Sequence, residues 1–237
     1  MPNALIIARR ELGAYFNSLV AYAVVILFLV ITGALFWQTY FNEVSLLSMR
    51  GYFDQAPLML AFFAPALTMG LFATEERSGT LQWLMTMPLT SRDIVLGKFL
   101  AAMALFLVVF AMTLPYPYTL SLLGELDWGA VATGYLGMTL LAGTYAAIGL
   151  MASSFTRDQV VAILLAFTLC FFLYLIDILI AQPSGAWTRT LEYASTNYHF
   201  QNLARGVIDL QSIIYYVSLT AAALVITTLR LESRRWN

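Results

Sequence analysis

The sequence predicts an all-α, polytopic membrane protein with six spanning helices, and three observations carry that reading. The chain is 61% hydrophobic and 11% charged, whereas a soluble domain carries about 25% charged residues. Six uncharged runs, 12–42, 55–74, 99–124, 128–156, 159–176 and 210–229, are long enough, or nearly so, to cross about 30 Å of hydrocarbon. The basic residues also segregate. An even number of spans puts both chain ends on one side. If that side is the cytoplasm, nine of the twelve Lys and Arg lie there: Arg9, Arg10, Arg77, Arg92, Lys98, Arg157, Arg230, Arg234 and Arg235. Arg50, Arg189 and Arg205 are left outside, as the positive-inside rule favours.

The elements follow in order. Over 3–17, Leu5, Ala8, Leu12, Tyr15 or Phe16, and Leu19 recur at helical spacing. Arg9, Arg10, Gly13 and Asn17 fall elsewhere on the wheel, so an amphipathic helix on the inner surface is expected. With Arg9, Arg10 and Glu11 ahead of an overlong apolar run, this segment does not read as a signal peptide. Span one covers 19–41, and Trp37 and Tyr40 mark its outer end as an aromatic belt does. Residues 42–56 read as an outer loop. Pro57 opens span two, 57–74, with Pro65 inside it as a candidate kink.

Span three, 97–121, meets Pro115 and Pro117, alternating with Tyr116 and Tyr118. Backbone freed by proline needs new partners in a membrane, so a bent outer end is expected. Such a bend shapes packing more often than it lines a substrate path. Glu125, Asp127 and Trp128 form a short outer turn. Span four, 129–154, carries Gly134, Gly137, Gly143 and Gly149. Gly143 with Ala147, and Gly149 with Ser153, are small-xxx-small pairs suited to close helix packing. Arg157 and Asp158 sit in a tight inner turn.

Span five, 159–180, holds Asp177, about 25 Å along a helix from Val160. That is near the outer interface, where a hydrated acid fits better than a proton relay. Residues 182–209 form the longest outer segment, with a turn at Pro183-Ser184-Gly185. The stretch 191–207, with Tyr193, Tyr198, His199 and Phe200, is too apolar for a solvated loop. A pair of short re-entrant helices in the outer leaflet is expected. His199 is the single histidine, so a structural hydrogen bond is its expected role. Span six, 209–230, ends in Arg230, Arg234, Arg235 and Trp236 at the inner headgroups. The whole of 1–237 reads as one transmembrane domain.

The polar stretch 75–98, EERSGTLQWLMTMPLTSRDIVLGK, organises the rest. It opens with Glu75-Glu76-Arg77. Ser78-Gly79-Thr80 breaks the preceding helix and offers a hydroxyl cap to the next. Residues 81–87 suit a helix of about two turns, roughly 10 Å long. Leu81, Leu84 and Met85 share one of its faces. Pro88 ends it. Ser91 is the expected cap of the following helix, with Asp93 in its first turn where the dipole favours an acid. From physics alone this short helix is either an interfacial helix on the headgroups or a knob for a soluble partner.

The chemistry that is missing is equally informative. No nucleotide-cradling Gly-rich motif is present: Gly97-Lys98 runs into Phe99, and Arg92 stands where the first glycine belongs. There is no zinc-protease motif, nucleophile elbow or paired membrane carboxylate. Cys170 is the lone cysteine, which excludes an internal disulfide and a Cys/His metal site. A net charge of −1 gives no case for nucleic acid. The chain is therefore not expected to be an enzyme or to bind a cofactor.

The stretch Glu75-Glu76-Arg77, Gly79-Thr80-Leu81, a short helix around Leu84, Pro88 and Gly97-Lys98 resembles the first cytoplasmic loop of type-2 ABC exporter permeases. Gln82 departs from that pattern, in which glutamate is common. Tyr198-His199-Phe200, Arg205-Gly206-Val207-Ile208-Asp209-Leu210 and the end Leu231-Glu232-Ser233-Arg234-Arg235-Trp236 resemble a narrower branch. That is the gliding-motility-associated permease type, akin to permeases of copper-enzyme maturation systems. The resemblance implies an elbow helix, six spans in a bacterial inner membrane and a coupling helix at 81–87 seated in a separate ATPase. It also implies outer re-entrant helices around Tyr198, His199, Phe200 and Arg205. ATPase contacts would fall on Glu75, Glu76, Arg77, Gly79, Thr80, Leu81, Trp83, Leu84, Met85, Pro88, Arg92 and Asp93, with ATP and Mg held in the partner. Further implied partners are a second permease copy or paralogue and, for this branch, a membrane protein with a large extracytoplasmic domain. An ion-coupled carrier using Asp177 and a non-transporting scaffold are the rival readings.

Overall fold

The computed structural model describes residues 2–42, 48–82, 89–180 and 195–235. Every regular element among them is an α-helix. They are α1 (Pro2–Phe16), α2 (Leu19–Asn42), α3 (Arg50–Thr68), α4 (Gly70–Ser78), α5 (Ser91–Thr113), α6 (Pro115–Ser121), α7 (Trp128–Phe155), α8 (Gln159–Ile180), α9 (Thr196–Ala204) and α10 (Leu210–Arg235). Six spans are long and apolar enough to cross a membrane: α2, α3 with α4, α5 with α6, α7, α8 and α10. The second to fourth are mostly buried, whereas α2, α8 and α10 leave most of their apolar surface outward. That is the expected distribution for a bundle whose outer ring faces lipid, which is as apolar as leucine.

The core centres on α7, where Leu141, Ala142, Tyr145, Ala147 and Leu150 are fully buried. Its glycines explain how neighbours come so close. A Cβ on Gly134 would lie 2.4 Å from the Phe53 ring. One on Gly149 would overlap Thr68 Oγ1, and Pro65 Cα lies 3.6 Å away. Small residues at both sites let α3 press its backbone against α7.

The second span breaks at Met69, just past Pro65, and α7 closes the break. The Ser153 hydroxyl accepts from Phe72 N (3.1 Å) and Ala73 N (3.0 Å) and donates to Met69 O (2.7 Å). A side chain inserted into the helical ladder is a recognised cause of a kink. The C-terminal end of the third span is handled similarly. Pro117 has no N–H for the Thr113 carbonyl. Tyr135 Oη, from α7, donates to that carbonyl instead (3.1 Å). Tyr116 stacks on Phe36 with ring centroids 4.9 Å apart and donates to Leu29 O (3.3 Å). The proline break is thus filled by aromatic packing.

Two local expectations, the start of the second span and the cap of α5, need correction. The second span begins at Arg50, not at Pro57, which lies inside α3. Tyr52, Phe53 and Ala56 are buried, so the apolar face continues through the charged turn containing Arg50 and Asp54. The helix α1 turns Ala4, Ile7 and Glu11 inward and leaves Leu5 64% exposed. Its inner face packs along α5, where Gly97 permits contact: a Cβ there would lie 2.7 Å from Ile7 and 2.8 Å from Ala4 O. The cap of α5 is Thr90 rather than Ser91, which is already helical.

At the end of the bundle opposite to Lys98, α9, capped by Ser195, is wedged against α7. Phe200 and Leu203 are fully buried against Gly137, where a Cβ would lie a tight 3.1 Å from Leu203 Cβ and 3.3 Å from the Phe200 ring. His199 is buried, with Nδ1 3.1 Å from Ser212 Oγ and its ring stacked 4.4 Å from Tyr215. Residues 181–194, which hold the expected turn at Pro183-Ser184-Gly185 and the first residues of the expected re-entrant pair at 191–207, lie outside the described residues, as does the side chain of Asp177.

Ser153→Ala removes the one hydroxyl that serves three backbone groups at the α3–α4 break. The loss is expected to be about 2 kcal/mol, read as a lowered thermal unfolding midpoint of the purified protein. Ser218→Ala, on an exposed site bonded only to its own helix, should stay within about 0.5 kcal/mol of the parent.

Candidate functional site

The candidate site is built where α4 ends and α5 begins. Gly79 takes φ +74°, the left-handed conformation that stops α4. Thr80 Oγ1 lies 2.8 Å from Ser78 Oγ and donates to Glu75 O (3.3 Å). The chain turns helical again over 80–82, with Leu81 buried in the chain's own core and Gln82 exposed. Trp83, Leu84, Met85 and Pro88 lie outside the described residues. The return limb is fixed by a capping box. Asp93 N donates to Thr90 Oγ1 (3.2 Å), and Thr90 N donates to Asp93 Oδ2 (3.3 Å). Arg77 and Arg92 are exposed on either limb.

Beneath this loop, charges from five elements converge. Lys98, on the second turn of α5, is fully buried. Its Nζ lies 2.9 Å from Glu75 Oε1 and 3.2 Å from Glu11 Oε1, with the Phe72 ring centroid at 5.2 Å. Arg10 reaches the same two carboxylates, at 2.5 Å from Glu11 and 3.2 Å from Glu75. The hydrogen bond to Glu11 holds the Arg10 guanidinium further above its ordinary pKa. Glu76 turns elsewhere. It accepts from Arg157 Nε (2.9 Å), in the α7–α8 turn, and pairs with Arg234 near the end of α10. Two neighbouring carboxylates on one helical turn therefore hold different neighbours. Glu75 fastens α1 and α5, and Glu76 fastens the α7–α8 turn and α10.

Sequence reasoning named Glu75 and Glu76 but missed Glu11, Arg157 and Arg234 as their partners. It read Lys98 as a motif residue, not a buried charge. The available signal was that all these charges cap the same ends of their spans. Tyr198, His199, Phe200 and Arg205 are far from this cluster, on or just after α9 at the opposite end. Tyr198 and Arg205 are exposed, and Arg205 donates to Gln201 Oε1 (3.3 Å).

Residues 5–232 match the family of ABC-2 family transporter proteins. The chain belongs to that family. No curated protein matches it. A member of the ABC-2 family is a permease component of a membrane transporter rather than an enzyme, and the family implies partnership with an ABC ATPase. In this ABC-2 permease the described geometry presents a loop whose two limbs are fastened to the spans behind it.

Removing one partner of a buried ion pair strands the other charge, at a cost of about 3–5 kcal/mol. Lys98→Met is expected to destabilise the purified permease by that order. Arg157 is 79% exposed, and Arg157→Gln should change stability by no more than about 1 kcal/mol. Thermal unfolding of the two variants side by side checks the ranking.

Proposed function

We propose that this ABC-2 chain is the transmembrane subunit through which ATP hydrolysis by a separate ATPase drives export or force transmission across a bacterial inner membrane. Both termini and the 75–98 loop lie in the cytoplasm. The loop is the coupling element. The short helix at 81–87 seats in the ATPase through Leu84 and Met85 with Trp83, Pro88 closes it, and Arg77, Arg92 and Asp93 give polar contacts at its edges. ATP and Mg reside in that partner. Two permease copies, or a copy and a paralogue, work with two ATPases. The motifs around Tyr198 and Leu231 favour the gliding-motility-associated branch, whose permeases often work beside a membrane protein with a large extracytoplasmic domain.

The observation that carries this reading is the Glu75–Lys98 ion pair across the base of the loop, 2.9 Å long. A loop closed at its base delivers a push on its tip to spans two and three together. A conformational change needs a ligand that binds two states unequally, and nucleotide in the partner supplies that difference.

Leu84→Asp should abolish co-purification of the ATPase with the permease while membrane insertion stays at the parental level. Pull-down from solubilised membranes, with insertion scored by protease accessibility of the loop, checks both. Undiminished co-purification of the ATPase with Leu84→Asp would falsify the coupling assignment.

A further inference from the structure

Lys98 and Glu75 also line a cleft of about 240 Å³ at the inner end of the bundle, bounded by α1 and α2 on one side and the α3–α4 break on the other. Its floor is polar, with Glu11, Glu75 and Lys98. Its upper wall is apolar, with Val20, Val24 and Leu67. Val20 is 55% exposed on the outward side of α2, so the cleft opens toward the bilayer. The volume falls below the roughly 300–1,000 Å³ of pockets that enclose a drug-sized ligand. It suits a headgroup whose tails stay outside.

Two atoms in this floor have no hydrogen-bond partner. Lys98 Nζ, on a residue with no exposure at all, sits at ion-pair distance from two carboxylates but meets no acceptor at a hydrogen-bonding angle. Glu75 Oε2 is buried and has no donor. Buried charges need their remaining hydrogen bonds satisfied as well as their opposite charge nearby. The floor therefore asks for an occupant that brings both an acceptor and a donor. The charges also balance once Arg10 is counted, which pairs with both carboxylates from outside the lining: Arg10 and Lys98 against Glu11 and Glu75. A balanced floor discriminates against a plain anion and favours a zwitterion.

We propose that this cleft binds the headgroup of an aminophospholipid. Lys98 Nζ and Glu75 Oε2, both shut off from the cleft in this structure, turn into it on binding: the phosphodiester accepts from Nζ, the primary ammonium donates to Oε2, and the acyl chains run along Val20, Val24 and Leu67. The site lies on the membrane side of the ion pair, and it stands whether or not the loop seats an ATPase.

The test is native mass spectrometry of the full-length chain in detergent. It is titrated with dioleoyl phosphatidylethanolamine, with phosphatidylcholine, whose methylated ammonium has no N–H, and with phosphatidylglycerol. Phosphatidylethanolamine should be retained at least tenfold better than phosphatidylcholine. Glu75→Gln should shrink that preference to within about twofold, and Lys98→Met should weaken retention of all three at least fivefold. Ala14→Trp, at the exposed rim and outside the ion pairs, should block retention and keeps the test decisive if Lys98→Met unfolds. Equal retention of phosphatidylethanolamine and phosphatidylcholine overturns the proposal. So does a preference for phosphatidylglycerol, which would mean recognition of an anion alone. Competition by soluble glycerophosphoethanolamine as effective as by the lipid overturns it too, because the apolar wall would then contribute nothing.

Discussion

In hydrocarbon, every backbone N–H and C=O must find a partner inside the protein, and this constraint explains most of the bundle's irregularities. Two of its spans are interrupted, one past Pro65 and one at Leu114 between two helical segments. Neither break is left open. Ser153 takes up the amides freed at the first, and Tyr135 takes up the carbonyl freed at the second. Both hydroxyls come from α7. The most buried helix is thus also the one that allows its neighbours to bend, and its glycines bring the bent segments within reach.

Charge obeys a parallel constraint. The ionised groups that do lie deep in the fold gather at one end, where Lys98, Glu11, Glu75 and Arg10 neutralise one another. The helix α1 belongs to this arrangement. It lies against α5 over Gly97 and contributes two of the four charges, so its inward face is mixed rather than purely apolar. Its outward face keeps Leu5 and Ile6 for the surroundings. A helix apolar on two sides, with an ion pair between them, serves as a wedge between the bundle and the membrane surface.

The fold class was legible because composition and uninterrupted apolar runs are direct consequences of the solvent. What failed to be legible has physical reasons. The start of α3 was hidden because Arg50 and Asp54 interrupt the run, while Tyr52, Phe53 and Ala56 between and after them still face the core. The face by which α1 packs on α5 carries Ala4, Ile7 and Glu11, and nothing in the spacing of the other apolar residues marks it. The Thr90 cap was missed by one residue, since Thr90 and Ser91 are both competent and only the Asp93 register decides. For the candidate site, the local punctuation could be read: the Gly79 stop and the acid in the first turn of α5. The pairing could not. Residues 11, 75 and 98 carry no mark in sequence that they meet, because their proximity depends on how three helices cross.

The adjacency of Glu75 and Glu76 has a consequence for how α4 responds to load. Successive residues leave a helix about 100° apart, so the two carboxylates point to separate anchors around the same axle. Turning α4 about its axis would carry both carboxylates off their partners, so the two sets of ion pairs together hold this end of the span in register, as stays on different sides hold a mast.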